Sequence, residues 1–219
     1  GGFGYRMMFV FADFVHFVLA YVLEYREKVI ENNLRKAFPD KSGKEIVRIR
    51  KKYYRHLADL FVENVALAFA SRRKLERIVS YPDAEVLEKF HKQNASVLML
   101  TAHAGNWEFS AIGTLYFQYT YYPVYKPLKN KHFDKFYAHL RSRFGGIPLP
   151  MKQTMRTIIT NYRKKIPAVY GIVADQKPLS VDGHVWTRFL NQETRVFSGP
   201  ENIARKLNIP VMYAEFIKG

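Results

Sequence analysis

The sequence predicts an α/β fold: a single domain whose mostly parallel central sheet is flanked by helices, preceded by a membrane-associated N-terminal helix. Three observations predict it. Val97–Thr101 (VLMLT) and Ala168–Ala174 (AVYGIVA) are apolar runs too short for helices, and they read as strands buried on both faces. Helix-length segments separate and follow them, so strand and helix alternate, and parallel strands need such crossovers. Ahead of both lies a long helical front with no strand pattern.

Met7 to Leu23 (MMFVFADFVHFVLAYVL) is a run of 17 mostly apolar residues carrying Asp13 and His16. That is the short limit for a membrane-spanning helix, and it lacks the small-residue cleavage pattern of a secretory signal. Arg26, Lys28, Arg35 and Lys36 follow directly, as expected of a basic stretch on the cytoplasmic side beside anionic lipid. The run therefore reads as a membrane anchor, spanning or half-buried, with a buried core helix as the alternative. Lys44–Ser71 is a long amphipathic helix with Ile46, Ile49, Tyr53, Leu57, Leu60, Asn64 and Ala68 on one face. Ser42 and Glu45 form the capping box that starts it. A helix over Ala84–His91 precedes the first strand, and Asn106–Leu115 follows it as a helix. A strand near Pro123-Val124-Tyr125 leads to a helix over Lys131–Phe144, closed by Gly145-Gly146. Gln153–Lys164 is helical ahead of the second buried strand, Ser198–Leu207 is a further helix, and Val211–Phe216 a last strand. The organisation expected is an anchoring helix over 1–25, a helical front over 26–82 and an α/β core over 83–219. The chain opens on Gly-Gly and stops just after a strand, so a longer natural protein with further C-terminal residues is expected.

Composition narrows the chemistry. With 219 residues, 48% hydrophobic and 16% aromatic, the chain can bury a core and is not disordered. It has no cysteine, which excludes a disulfide scaffold, a thiolate zinc site and an acyl-cysteine intermediate. Lys and Arg number 35 against 19 Asp and Glu, a net charge of +16 that calls for an acidic partner. From Lys135 to Ala174 there is no acid at all, against Lys135, Arg141, Arg143, Lys152, Arg156, Arg163, Lys164 and Lys165.

Candidate chemistry gathers where the two apolar strands end, because sites in open α/β sheets lie outside the carboxyl ends of strands. The first strand runs into Ala102-His103-Ala104-Gly105-Asn106-Trp107-Glu108. Gly105 permits a tight turn, Asn106 is a good N-cap, and Glu108 then falls in the first helical turn. Such a turn folds the Glu108 carboxylate onto the His103 imidazole, leaving the other ring nitrogen as a general base. A capping-type Glu beside a satisfied strand-end His fits the same spacing. The second strand ends in Asp175-Gln176-Lys177-Pro178, where Asp175 reads as a second acid of the site or as a turn residue before proline. Arg141 and Arg143 lie on one predicted helix, and one of them is expected to face the site.

These segments, in this order, resemble the late acyltransferases of lipid A biosynthesis in Gram-negative bacteria, the lauroyl and myristoyl transferases. The blocks are Tyr25-Arg26 with Asn33-Leu34-Arg35 and Phe38-Pro39; His103-x4-Glu108; Tyr125-Lys126-Pro127-Leu128, with Lys where Arg is common; Arg141-Ser142-Arg143-Phe144-Gly145; Ala174-Asp175-Gln176; and Phe197-Ser198-Gly199-Pro200-Glu201 with Ile203-Ala204-Arg205. The resemblance runs from about Tyr25 to Gly219. It implies a glycerolipid-acyltransferase-like core and O-acyl transfer from acyl-carrier-protein thioester to a hydroxyl of a lipid A precursor. The place implied is the cytoplasmic face of the inner membrane, with anionic lipid and acyl carrier protein as partners and no cofactor. His103 would be the general base and Glu108 its orienting partner. Arg141, held by Asp175, would stabilise the oxyanion or place the phosphorylated glucosamine. Asn106, Lys126, Arg143 and Gln176 would bind substrate, with Arg143 also the alternative to Arg141.

Other readings lead elsewhere. Another lysolipid or aminolipid could be the acceptor. A metal-dependent hydrolase would use His103 and Glu108 as ligands, but no H-E-x-x-H occurs and His91, His132 and His139 share no ligand spacing. A nucleic-acid binder would exploit the charge, but the basic residues are spread over several helices without a recognisable binding motif.

Overall fold

A computed structural model describes residues 2–176 and 184–217. They fall into two compact units, one taking in the chain up to Ala66 together with Trp186–Arg195, the other Leu67–Val185 with the chain from Val196 onward. The division falls inside a long helix, upstream of the expected step from helical front to α/β core at 82–83.

The first unit is helical. Helix α1 (Gly2–Phe17) continues into a π-helical turn, Val18–Val22, and is followed by α2 (Glu27–Ala37) and α3 (Gly43–Phe69). The capping box at the start of α3 forms as expected: the Ser42 backbone N–H donates to Glu45 Oε2 at 2.9 Å and the Glu45 N–H to Ser42 Oγ at 3.4 Å. Inside the unit, Ala12, Ile46, Tyr54, Ala58 and Val62 are buried. Arg50 holds Glu27 and Glu31 of α2, and Arg55 binds Asp13, the one acid of the apolar run. Asp13 is thus matched by a cation on α3. On the other side Val10, Phe14, Phe17 and Tyr21 stay more than half exposed. Among the described residues no helix is long and apolar enough to cross a membrane.

The second unit carries the sheet. It contains α4 (Arg72–Leu75), α5 (Ala84–Lys92), β1 (Val97–Thr101), a 3₁₀ segment over Trp107–Leu115, β2 (Thr120–Tyr125), α6 (Lys131–Ser142) and β3 (Leu149–Pro150). After these come α7 (Thr154–Arg163), β4 (Ala168–Val173), α8 (Gly199–Leu207) and β7 (Val211–Tyr213). The five strands run in the order β3-β2-β4-β1-β7, and every pairing is parallel. The two apolar runs of the sequence lie side by side at the centre, Val97 opposite Val169 and Thr101 opposite Val173. Their side chains alternate between two cores, as a period of two demands. Val97, Met99 and Val169 pack with Leu87 and Tyr121 on one face; Leu98 and Tyr170 pack with Ile158 and Ile203 on the other. Gly171 of β4 is required here, since a Cβ would stand 2.3 Å from the Tyr121 hydroxyl. Burial pushes the Tyr121 phenol up to about 12, so it stays a neutral core group.

Several elements depart from expectation, the short edge strand β3 and the single turn α4 among them. The segment after Asn106 is a 3₁₀ helix, and the last strand stops at Tyr213 rather than Phe216. Between β4 and α8 the chain forms a hairpin, β5 (His184–Phe189) and β6 (Gln192–Phe197), which hydropathy alone leaves as loop. Its signal was local: Leu190-Asn191, both at positive φ, join two alternating runs, the geometry of a two-residue hairpin turn. The Lys177-Pro178 turn and the end of the chain at Gly219 lie outside the described residues.

Candidate active site

Because β1 and β4 are parallel neighbours in register, whatever follows each of them emerges at one edge, side by side. The Ala174 N–H donates to Thr101 O at 2.9 Å, extending the ladder one step, and the chains then part. His103 stands two residues past β1 and Asp175 two past β4. The His103 backbone N–H donates to Asp175 Oδ2 at 2.9 Å, and His103 Nδ1 lies 2.6 Å from Asp175 Oδ1. A carboxylate only accepts, so Nδ1 carries the proton and Nε2 presents a lone pair. The Gln176 side-chain amide, 3.2 Å away, donates to that lone pair. Trp107 packs edge-on against the imidazole with ring centroids 4.4 Å apart. The His103 and Asp175 side chains are 32% and 38% exposed, open enough for a substrate atom to reach Nε2.

The turn that sets His103 depends on Gly105. It sits at φ +62, and a Cβ there would stand 2.2 Å from the carbonyl oxygen of Phe216. Asn106 then caps the 3₁₀ helix, its Oδ1 accepting from the Glu108 N–H at 3.2 Å. The cap turns Glu108 inward, where it is almost fully buried, and there it meets Arg141. Arg141 Nε donates to Glu108 Oε2 at 2.9 Å and Nη2 to Oε1, a bidentate pair with side chains only 17% and 5% exposed. The guanidinium also lies 5.2 Å from the centroid of Tyr125, the last residue of β2, and 5.4 Å from that of Tyr137.

Two expected pairings are therefore corrected. Asp175, not Glu108, binds the His103 imidazole; Glu108, not Asp175, holds Arg141. The reason is the sheet register, which sets β4 against β1, while the Asn106 cap directs Glu108 toward the core. Arg143, expected to bind substrate, is engaged elsewhere in this structure. Its guanidinium donates to the carbonyl oxygens of Leu67 and of Ala70, the latter at 2.6 Å, and so closes the carboxyl end of α3. Lys126 follows β2 directly and is exposed at the carboxyl edge. Trp107 and Tyr125 stand in the quoted sequence blocks without a role, and Tyr137 was not singled out. Tyr137, four residues before Arg141 on α6, was the one with a readable signal. Among the described residues no set of three or more His, Asp or Glu side chains could hold a metal ion.

A family model described as bacterial lipid A biosynthesis acyltransferase matches residues 2–217. The chain belongs to that family. No curated relative matches it. The family makes the chain an acyltransferase of lipid A and lipopolysaccharide biosynthesis, a transferase. The strand-end cluster just described holds an oriented imidazole, its Nε2 met by the Gln176 amide, and a fixed cation beside the last residue of β2. In this acyltransferase the His103–Asp175 hydrogen bond and the Glu108–Arg141 ion pair both bridge elements far apart in the chain.

Proposed function

We propose that this acyltransferase moves a fatty acyl chain from an acyl-carrier-protein thioester to a hydroxyl of a lipid A precursor, at the cytoplasmic face of the inner membrane. The observation that carries the reading is the His103–Asp175 pair with its Nε2 turned outward. The acceptor hydroxyl displaces the Gln176 amide at Nε2 and gives its proton to the imidazole. The oxygen attacks the thioester carbonyl; the tetrahedral intermediate collapses, the thiolate leaves, and the imidazolium returns the proton to it. Asp175 stabilises the imidazolium through Nδ1. Arg141, fixed by Glu108 and held against Tyr125, keeps Nη1 for the oxyanion or for a phosphate of the acceptor. No covalent enzyme intermediate and no cofactor enter this scheme. Asn106 acts by shaping the turn, and Lys126 and Gln176 line the approach. The exposed apolar side of α1 rests in the membrane interface rather than spanning it.

Mass spectrometry of lipid extracts from cells with and without the gene tests this reading. The expected result is a loss of one acyl mass from lipid A alone. An unchanged lipid A with altered lysolipids or aminolipids would overturn the acceptor. Acyl carrier protein is the acidic partner that suits the acid-free stretch from Lys135 to Ala174. Reversing charge at Lys152, Lys164 and Lys165 together is expected to raise KM for the acyl-carrier-protein donor about tenfold at low salt, with kcat nearly unchanged. A KM that does not move at low ionic strength places the dock elsewhere.

A further inference from the structure

The β5–β6 hairpin exposes large apolar side chains. Trp186 and Phe189 are each 59% exposed, and Leu190, at the turn, 47%. Singly exposed residues are ordinary on a protein surface, but here Trp186 and Phe189 stand on opposite faces of one short strand with Leu190 at the turn beyond them, so the tip of the hairpin offers apolar groups on both sides. The charge around them selects the occupant. Between Trp186 and Arg195 stand two arginines, Arg188 and Arg195, against a single acid, Glu193, in a chain of net charge +16. The Arg195 guanidinium lies 5.6 Å from the centroid of the Trp186 ring. Aromatic rings beside cations match the chemistry of an anionic membrane interface, where the ring enters the headgroup boundary and the cation meets phosphate. A second copy of this chain is a poorer occupant, because a twofold contact would bring like charges together.

The hairpin is also held in place. The Asn191 side-chain amide donates to the carbonyl oxygen of Ala37, the last residue of α2, at 3.1 Å. That bond ties the turn to the helical front, the same compact unit that carries the exposed apolar side of α1. A tethered tip loses little conformational entropy on meeting a surface.

We infer that Trp186–Arg195 is a second membrane-interfacial element, separate from α1, in which Trp186, Phe189 and Leu190 enter the headgroup–acyl boundary while Arg188 and Arg195 bind lipid phosphate. This rests on the membrane association proposed above and assigns part of it to the hairpin.

Tryptophan emission tests it, since the chain has only Trp107 and Trp186. The difference between the unmodified chain and Trp186→Phe isolates the hairpin signal. Trp107→Phe, in which Trp186 emits alone, gives the same information should the first variant fold poorly. With vesicles of phosphatidylglycerol and phosphatidylethanolamine, the Trp186 component is expected to shift to the blue and to be quenched by brominated acyl chains. Arg188→Gln/Arg195→Gln is expected to weaken binding to these vesicles roughly tenfold or more. Protein that sediments with the vesicles while Trp186 emission stays unshifted and unquenched overturns the hairpin and leaves membrane association intact. Protein that sediments with no vesicle overturns both. A blue shift that grows with protein concentration in the absence of lipid overturns the inference in favour of self-association.

Discussion

Replacing His103 by alanine is expected to slow acyl transfer by about 10²–10⁴-fold, the usual worth of a positioned general base. Folding should hardly change. The imidazole is a third exposed, and the Asp175 carboxylate it leaves behind is open enough to be solvated by water. Asp175→Asn is expected to cost a comparable factor by another route. The asparagine amide would donate where the carboxylate accepts, pushing the imidazole proton from Nδ1 to Nε2 and removing the lone pair that does the work. Because the two residues act as one unit, His103→Ala/Asp175→Asn should be little slower than His103→Ala alone. Glu108→Gln lies outside that unit, so its effect should add to that of His103→Ala rather than vanish in it. Initial rates on the six proteins of the two cycles decide the matter. If Asp175→Asn retains full rate while the His103–Glu108 cycle is non-additive, the imidazole is served by Glu108 after all.

The second large effect is on stability. Arg141→Ala is expected to destabilise the protein by about 3–5 kcal/mol, since it strands the Glu108 carboxylate in a site that water barely reaches. Against a total of about 5–15 kcal/mol for a typical domain, such a loss should be plain in urea melts. The double replacement Glu108→Met/Arg141→Met removes both charges and should recover most of that stability, because apolar groups of similar volume tolerate the buried site. Acyl transfer should not recover with it, as the cation at the sheet edge is gone. A single Arg141→Ala with an unshifted urea midpoint would mean that Glu108 has another partner. Full activity in the double variant would remove Arg141 from the chemistry and leave it a packing role.

Much of this was legible along the chain. The runs VLMLT and AVYGIVA are apolar without interruption, and only a strand covered on both faces accounts for that in so few residues. The Ser42–Glu45 capping box and the Asn106 cap are contacts between residues a few positions apart, so sequence spacing specifies them almost completely. That the proposed site lies at the carboxyl ends of the two central strands also followed from the fold class. The hairpin at Leu190-Asn191 was readable in principle, but its alternating residues are not hydrophobic enough to stand out without the turn geometry.

Which acid meets which base was decided only by the tertiary structure. His103 and Asp175 are 72 positions apart, and Glu108 and Arg141 are 33 apart. Glu108, five residues from His103, seemed the natural partner because proximity along the chain is all that spacing can see. Asp175 reaches the imidazole because β4 pairs with β1 in parallel register and both stop on the same step. Arg143 looked as suited to the site as Arg141, yet two residues along α6 turn the side chain by about 200°. That rotation sends Arg143 to the end of α3 and Arg141 to Glu108. The sequence by itself determined the central strands, the caps and the sheet edge of the proposed site. The pairing of charges at that edge was left to strand register and helix phase, because an ion pair forms wherever the backbone brings opposite charges within reach, however far apart they stand in the chain.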